Sequence, residues 1–333
     1  MPQVQIADVI VPEEFTAYTV ENSLVSTALS QSGVVAHNAL IADQLQAGAE
    51  SFTIPFWLDL SDTEADITND DPTILSTPQK ISANKQTVRK SFLHASWSEM
   101  SLASELSGDS ALARIQSRVT AYWSRQIEKR VISTLLGVLA SNVANNASDM
   151  VVDISGLAGA LANFNGASVI DTALTMGDRL EDVAMIAMHS KIYGEALKNN
   201  EIEFFKPSEN GVELKTYKGM AVILDDNLTP AAGVYTTILM GAGAIGYAMA
   251  PPRTGYGTEL FRVPAAGNGG GQTLLHSRVN VGIHPLGYAW TDGTGGSAIA
   301  GDSPSIADLA VAAHWSRAVS QRKSVPLAFL ISK

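Results

Sequence analysis

Residues 108–145 read GDSALARIQSRVTAYWSRQIEKRVISTLLGVLASNVAN. Gly108, Asp109 and Ser110 open the stretch, and the side-chain oxygen of Ser110 or Asp109 can cap the free N–H groups of a first helical turn. At 100° per residue, Arg114, Arg118, Arg125 and Lys129 fall within a sector of about 60°. Ile115, Val119, Trp123, Ile127 and Val131 occupy the other side. The spacing predicts a long amphipathic helix over 110–145 with a basic stripe. That stripe is either a solvated face or a surface for a partner.

On the amino-terminal side of this helix the chain reads as β. SFTIPFWLDL (51–60) is apolar and aromatic and ends in acids. SDTEADITNDDPTILSTPQK (61–80) is acidic and holds Pro72 and Pro78, which marks an exposed loop. KISANKQTVRKSFLHASW (80–97) alternates like a strand. Two strands around a long polar tip predict a protruding hairpin. Before it, residues 1–50 mix short apolar and polar groups. Pro12, Glu13 and Glu14 signal one helix start, and Ala36 to Ala47 a second, weak helix. Neither is apolar enough to form a core, so an arm packed on neighbours is expected.

On the carboxyl-terminal side, DTALTMGDRLEDVAMIAMHSKIYGEALKNN (171–200) runs helix, buried strand, helix. VELKTYKGMAVILDD (212–226) and VYTTILMGAGAIGYAMA (234–250) alternate strands and turns. Glycine-rich stretches AAGNGGGQ (265–272) and DGTGGSAIAGDSP (292–304) flank further strands. Ser305 with Asp308 resembles a capping box, predicting a final helix. The α and β segments together predict an α+β class.

Composition narrows the function. The chain has 333 residues, 46% hydrophobic and 17% charged. A charged share below the usual 25% or so points to a surface that largely meets other protein. The absence of cysteine excludes disulfides, thiolate metal sites and cysteine nucleophiles. MPQVQIADVI lacks the basic and apolar regions of a signal peptide. The uncharged run between Asp226 and Arg253 is long enough to cross a membrane, but its glycines, threonines and Pro230 favour buried strands. The net charge of −11 is uneven: no Lys or Arg precedes Lys80, while twelve Asp and Glu do. Such an end repels phosphate and suits a basic face on a neighbour.

Catalytic and cofactor motifs give little. Gly241 to Gly246 (GAGAIG) fits G-x-G-x-x-G, but Pro251 and Pro252 stop the helix that a dinucleotide site needs. His37, His94, His189, His276, His284 and His314 show no i, i+4 metal spacing. Asp70-Asp71 and Asp225-Asp226 sit in turns. No catalytic, cofactor-binding or metal residue is assigned, and no nucleic-acid module is present. A nucleotide-dependent enzyme using GAGAIG remains the reading from a different class.

Several phrases together resemble the major capsid proteins of tailed bacteriophages with the Hong Kong 97-type fold. They are MHSKIYGEALKNNEIEFF with LKTYKGMAVILDD (188–226), YTTILMGAGAIGYAM (235–249), VGIHPLGYAW (281–290), Ser303 to Lys323 with Trp315, Arg317, Arg322 and Lys323, and the opening VIVPEEFTAYTVENSLVSTALSQSGVV (9–35). The resemblance covers nearly the whole chain. It implies an N-terminal arm (1–50), an extended β-hairpin loop (51–97), a peripheral domain (98–165) with a spine helix (110–145), an axial domain (166–270), and a return to the peripheral domain with a C-terminal helix (271–333). It further implies pentamers and hexamers of the chain, an icosahedral shell around double-stranded DNA held without sequence-specific binding, and no membrane. Partners would be scaffold, portal and decoration proteins, with assembly in the bacterial cytoplasm and residence in the virion. The spine helix would lie along the inner side of the shell. Arg114, Arg118, Arg125 and Lys129 would then be inter-subunit or interior contacts with the acidic arm, the scaffold or DNA. An encapsulin-like nanocompartment shell is the alternative within the same fold.

Overall fold

The computed structural model describes residues 34–60, 63–73, 75–205, 214–228, 233–292, 298–299 and 301–333. The first half contains β1 (Val35–His37), α1 (Ala39–Leu45), β2 (Ser51–Trp57), β3 (Ala83–Met100), α2 (Ser101–Ser107), α3 (Ala111–Asn145) and β4 (Val151–Asp153). Next come α4 (Gly166–Leu174), β5 (Val183–Met188), α5 (Ser190–Lys198), β6 (Ile202–Phe205), β7 (Leu214–Tyr217), β8 (Met220–Leu224) and β9 (Tyr235–Gly241). The rest holds β10 (Ile245–Ala250), β11 (Thr258–Val263), β12 (Gln272–Pro285), β13 (Tyr288–Trp290), α6 (Ile306–Leu309), β14 (Trp315–Arg317) and β15 (Leu327–Ser332).

Two sheets organise these elements. A six-stranded sheet runs β1-β10-β12-β3-β2, with β11 also paired to β12. A seven-stranded sheet runs β4-β15-β9-β5-β8-β7-β6. β13 and β14 form a small ribbon of their own. The main hydrophobic core draws from both sheets and from α3: Ile245, Val281 and Ile283 meet Ile238, Met240 and Phe329 around Val131, Leu135 and Val138. A second core, with Val169, Ile192, Ile202 and Tyr217, fills one side of the seven-stranded sheet under α4 and α5.

The helix α3 starts where its cap demands. Ser110 Oγ accepts from the Ala113 N–H, and Gly108, with φ 68°, separates α2 from it. Glu99 accepts from the Leu112 N–H and from Ser104 Oγ, which ties both helices to the end of β3. Burial varies along α3 as much as around it. Arg114, Gln116, Ser117 and Thr120 are exposed, whereas residues 130–135 and 137–139 are buried. The wheel drawn from sequence shows one apolar face throughout; in the fold residues 130–135 are buried all round the helix. Even Arg130 is buried there, with Nη1 donating to the Pro304 carbonyl at 3.0 Å.

Three expectations need correction. The C-terminal helix is a single turn. Ser305 and Asp308 do form a capping box, but Trp315 Nε1 takes the Leu309 carbonyl at 2.8 Å, and the chain leaves the helix to insert His314 and Trp315 into the core. The expected helix over 36–47 is shorter, because Val35–His37 pairs as a parallel strand with Ile245–Tyr247. The sheets also ignore a boundary at residue 270: β10 and β11 belong with β12, while β15 returns to the seven-stranded sheet beside β9. The helix start at Pro12 lies outside the described residues.

Gly137 is where α3 and the chain end meet most tightly. A Cβ there would strike the Leu309 carbonyl oxygen and lie 2.6 Å from Trp315 Nε1. Gly137→Ala should therefore destabilise the unassembled subunit by roughly 1–3 kcal/mol through overpacking, despite alanine's better helix propensity. Denaturant unfolding of the two proteins measures it, and an unchanged or higher midpoint would contradict the packing described.

Candidate assembly surfaces

The basic stripe divides in the fold. Arg114, Arg118 and Arg125 line one groove of about 290 Å³ with Trp97, Ile115, Val119 and Tyr122. Lys129 is exposed and does not line it. Trp97 and Tyr122 meet edge to face at 5.3 Å, giving the groove a fixed aromatic floor. Arg114 is held by Asp109, Nε to Oδ2 at 3.1 Å. Among the described residues no carboxylate lies within ion-pair distance of Arg118 or Arg125.

The second surface is the hairpin. β2 pairs antiparallel with β3 from Ser51↔Arg89 to Trp57↔Ala83. β3 then continues against β12, from Lys90↔Gly282 to Met100↔Gln272. One strand thus belongs to the hairpin over its first part and to the sheet over its second. Beyond Trp57, residues 63–73 are all exposed. Apolar side chains stand out from this region: Leu60 is 66% exposed, Ile67 89% and Leu75 82%.

The hairpin is anchored where the two parts of β3 join. Lys90 is fully buried and donates from Nζ to the Ala47 carbonyl at 2.8 Å, at the end of α1. Burial lowers its pKa, because the ammonium has left water. Next to it Arg89 Nη1 pairs with Glu50 at 2.7 Å, and Nη2 donates to the Asp302 carbonyl at 3.0 Å. Asn84 Nδ2 donates to the Ala318 carbonyl at 2.8 Å. These polar anchors were absent from the sequence reading. A lysine inside an alternating strand carries no local mark of burial.

Beneath the same joint lies a cavity of about 510 Å³, lined by Asn38, Leu40, Ile41, Ile54, Phe56, Gln86, His284 and neighbouring backbone. His284 Nε2 lies 2.8 Å from Gln86 Oε1, so Nε2 carries the proton and donates. Its Nδ1 is buried without a partner. Burial depresses the His284 pKa from 6.5 to about 4. His37 is the other titratable residue on the cavity wall, and no acid or permanent cation lines it.

A third polar centre lies at the β4–β15 edge of the seven-stranded sheet. Arg322 donates to the carbonyls of Asp149, Val325 and Leu327 and to Thr175 Oγ1. Burial lowers its pKa to about 10, with Asp149 opposing the shift. Arg317 pairs with Asp149 at 2.7 Å. Asn142 of α3 donates to the same carboxylate at 2.7 Å. The sequence singled out Arg317 and Arg322 only as part of a resemblance; the fold shows them as ties between α3, β4, α4 and β15.

The GAGAIG segment runs from the end of β9 through a turn into β10, so a strand, not a helix, follows the glycines. A Cβ on Gly241 would lie 2.9 Å from Pro326 Cβ, and one on Gly246 3.2 Å from Ile41 Cδ1. These glycines permit close packing. Among the described residues no three His, Asp or Glu side chains are grouped to hold a metal, and no helix is long and apolar enough to cross a membrane.

A comparison with protein-family profiles gives no match. The sequence is 33% identical over 334 aligned positions to the major capsid protein of Bacillus phage SPP1, spanning 97% of this chain and 96% of that protein. The chain belongs to the phage major capsid proteins. Solved shells agree in fold at low identity. The capsid of cyanophage Pam1 gives a TM-score of 0.60 at 11% identity over 96% of both chains. The head of Helicobacter pylori bacteriophage KHP40 gives 0.53 at 11% identity over 100% of this chain and 98% of that one. An encapsulin from Synechococcus elongatus PCC 7942 gives 0.51 at 11% identity over 99% and 95%. The architecture is of the Hong Kong 97 type, and the capsid protein's role is structural.

The buried His284 gives the capsid protein a specific acid response. Its folded pKa is depressed, so the folded state binds fewer protons than the unfolded one below pH 6.5. Stability from this site is full above about pH 6.5 and is lost as the pH falls toward 4, on the order of 3 kcal/mol. His284→Gln should flatten that part of the curve. Denaturant midpoints of the unassembled subunit between pH 7 and 4 read it, and an equal slope in both proteins would refute the assignment.

Proposed function

We propose that this chain forms the pentamers and hexamers of an icosahedral shell that encloses phage double-stranded DNA without reading its sequence. The whole-chain identity to a phage major capsid protein carries the reading. The fold supports it through the exposed hairpin and the arginine groove, which are surfaces of the kind that multivalent assembly uses. The parts are assigned as an arm over 1–50, an extended loop over 51–97, a peripheral domain built on α3, and an axial domain built on the seven-stranded sheet. We assign Arg114, Arg118, Arg125 and Lys129 to inter-subunit or interior contacts. Scaffold, portal and decoration proteins are the further partners, and the bacterial cytoplasm is the place of assembly.

Electron microscopy of particles from infected cells or from co-expression with a scaffold tests the reading. Closed shells containing nuclease-protected DNA are expected. Shells that hold protein cargo and no DNA would transfer the chain to the encapsulin-like role, and soluble monomers under every condition would overturn both.

Limited proteolysis tests the loop. The exposed, turn-rich segment 63–73 should be cut first in unassembled subunits and protected after assembly. First cleavage within 111–145 would contradict the assignment.

A further inference from the structure

We propose that Asn268, with Gly269, is a site of spontaneous covalent modification, where the turn between β11 and β12 exchanges an amide for a carboxylate as the protein ages. The chemistry belongs to this turn and is independent of the capsid role.

Residues 264–271 connect β11 to β12 and are closed at their base by the Val263↔Gln272 pair. Asn268 and Gly269 are exposed there, between Gly267 and Gly270. The chain turns back through positive φ at Gly267 (63°), Asn268 (53°) and Gly269 (92°). Asparagine tolerates that conformation better than most residues. Two hydrogen bonds hold the turn, from Gly270 N–H to the Gly267 carbonyl at 3.2 Å and from Gly271 N–H to the Ala266 carbonyl at 2.9 Å. Neither uses the Gly269 N–H, and among the described residues nothing holds it or the Asn268 side chain. A Cβ built on Gly269 meets nothing within 4 Å, so the approach to its nitrogen is open.

These are the conditions for an intramolecular substitution. The Gly269 nitrogen gives its proton to solvent and attacks the side-chain carbonyl carbon of Asn268. The new C–N bond closes a cyclic imide as the amide C–N bond breaks, and the amide nitrogen leaves as ammonia. Water then opens the imide at either carbonyl. One opening gives aspartate; the other gives isoaspartate, with the main chain routed through the former side chain. Two groups joined by so short a stretch of chain react with the advantage of proximity. Each event adds a negative charge at a turn whose base carries Arg262, with Nη2 3.7 Å from the Cβ position of Gly271.

A second Asn-Gly pair shows what protects such a site. Asn165 caps α4: its Oδ1 accepts from the Ser168 N–H at 2.9 Å, and its Nδ2 donates to the Asn163 carbonyl at 3.1 Å. Gly166 is buried, and a Cβ there would lie 2.6 Å from Lys218 Nζ. The same dipeptide is locked in one place and open in the other.

Full-length subunits aged in mildly alkaline heavy-oxygen water, then digested with trypsin and read by mass spectrometry, test the site. The peptide from Val263 to Arg278 should exchange an amide for an acid, take up label from solvent and separate into aspartate and isoaspartate forms. Conversion should quicken as the pH rises, because the attacking nitrogen must lose its proton. It should run at least about tenfold faster at Asn268 than at Asn165, whose side chain must first release its capping bonds. Asn268→Gln, whose longer side chain disfavours ring closure, should leave that peptide unlabelled while circular dichroism shows an unchanged fold. An Asn268 amide that persists, or equal rates at the two asparagines, would overturn the site. So would label that enters the Asn268→Gln peptide just as fast.

Discussion

The enclosure of the carboxyl-terminal half of α3 is the constraint on which the rest of this capsid protein depends. Val131, Leu135 and Val138 are fully buried and pack with strands from both sheets. Each such side chain contributes about 1.5–3 kcal/mol relative to exposure. Because one helix supplies a common wall, the core shared by the two sheets is not complete without it. The amino-terminal half of the same helix is less enclosed, with Trp123 and Ile127 its buried hydrophobic residues. It is the half that carries Arg114, Arg118 and Arg125. A single long helix therefore does two jobs along its axis: its far end holds the subunit together, and its near end offers a surface.

β3 divides its work in the same manner. Its 18 residues pair first with β2 and then with β12. The junction at Arg89 and Lys90 is held by polar anchors to Glu50, Ala47 and Asp302. A buried lysine that donates to a backbone carbonyl is costly to form and costly to break. It therefore fixes the angle at which the hairpin leaves the body more firmly than apolar packing alone, which tolerates exchange among side chains of similar volume. The neutral His284 beneath the same joint adds a second group whose charge state matters to that anchor.

Much of this was legible in the sequence because it was periodic. The cap at Ser110, the sector of four cations and the apolar positions from Ile115 to Val131 predicted α3 to within a residue of its observed start. The apolar, aromatic run at 51–60 and the alternation over 80–97 marked β2 and β3. What was not legible depended on distant partners. Arg130 looks like one more cation on the helix, yet it is buried against Pro304, far along the chain. The final helix stopped early because Trp315 claims a carbonyl of its last turn and needs the space beside Gly137. Ser305 and Asp308 announce a helix start correctly, and nothing nearby announces its end. The stripe itself was visible, but the groove needed Trp97 from another element to give it a floor.

The uneven charge gives these surfaces a shared logic. The twelve acids before Lys80 leave 22 Lys and Arg against 21 acids in the remainder of the chain. Separate subunits therefore repel as whole bodies, with a net charge of −11 each. An approach that sets the acidic amino-terminal segment against a cationic patch is the electrostatically favourable one. At physiological salt the Debye length is about 8 Å, so whole-body repulsion is strongly screened while groups in contact keep most of their interaction. Only an approach that brings the right segment to the right patch gains energy, and wrong approaches place acid against acid. Weak individual contacts then suffice, because a closed shell multiplies each of them by its copy number.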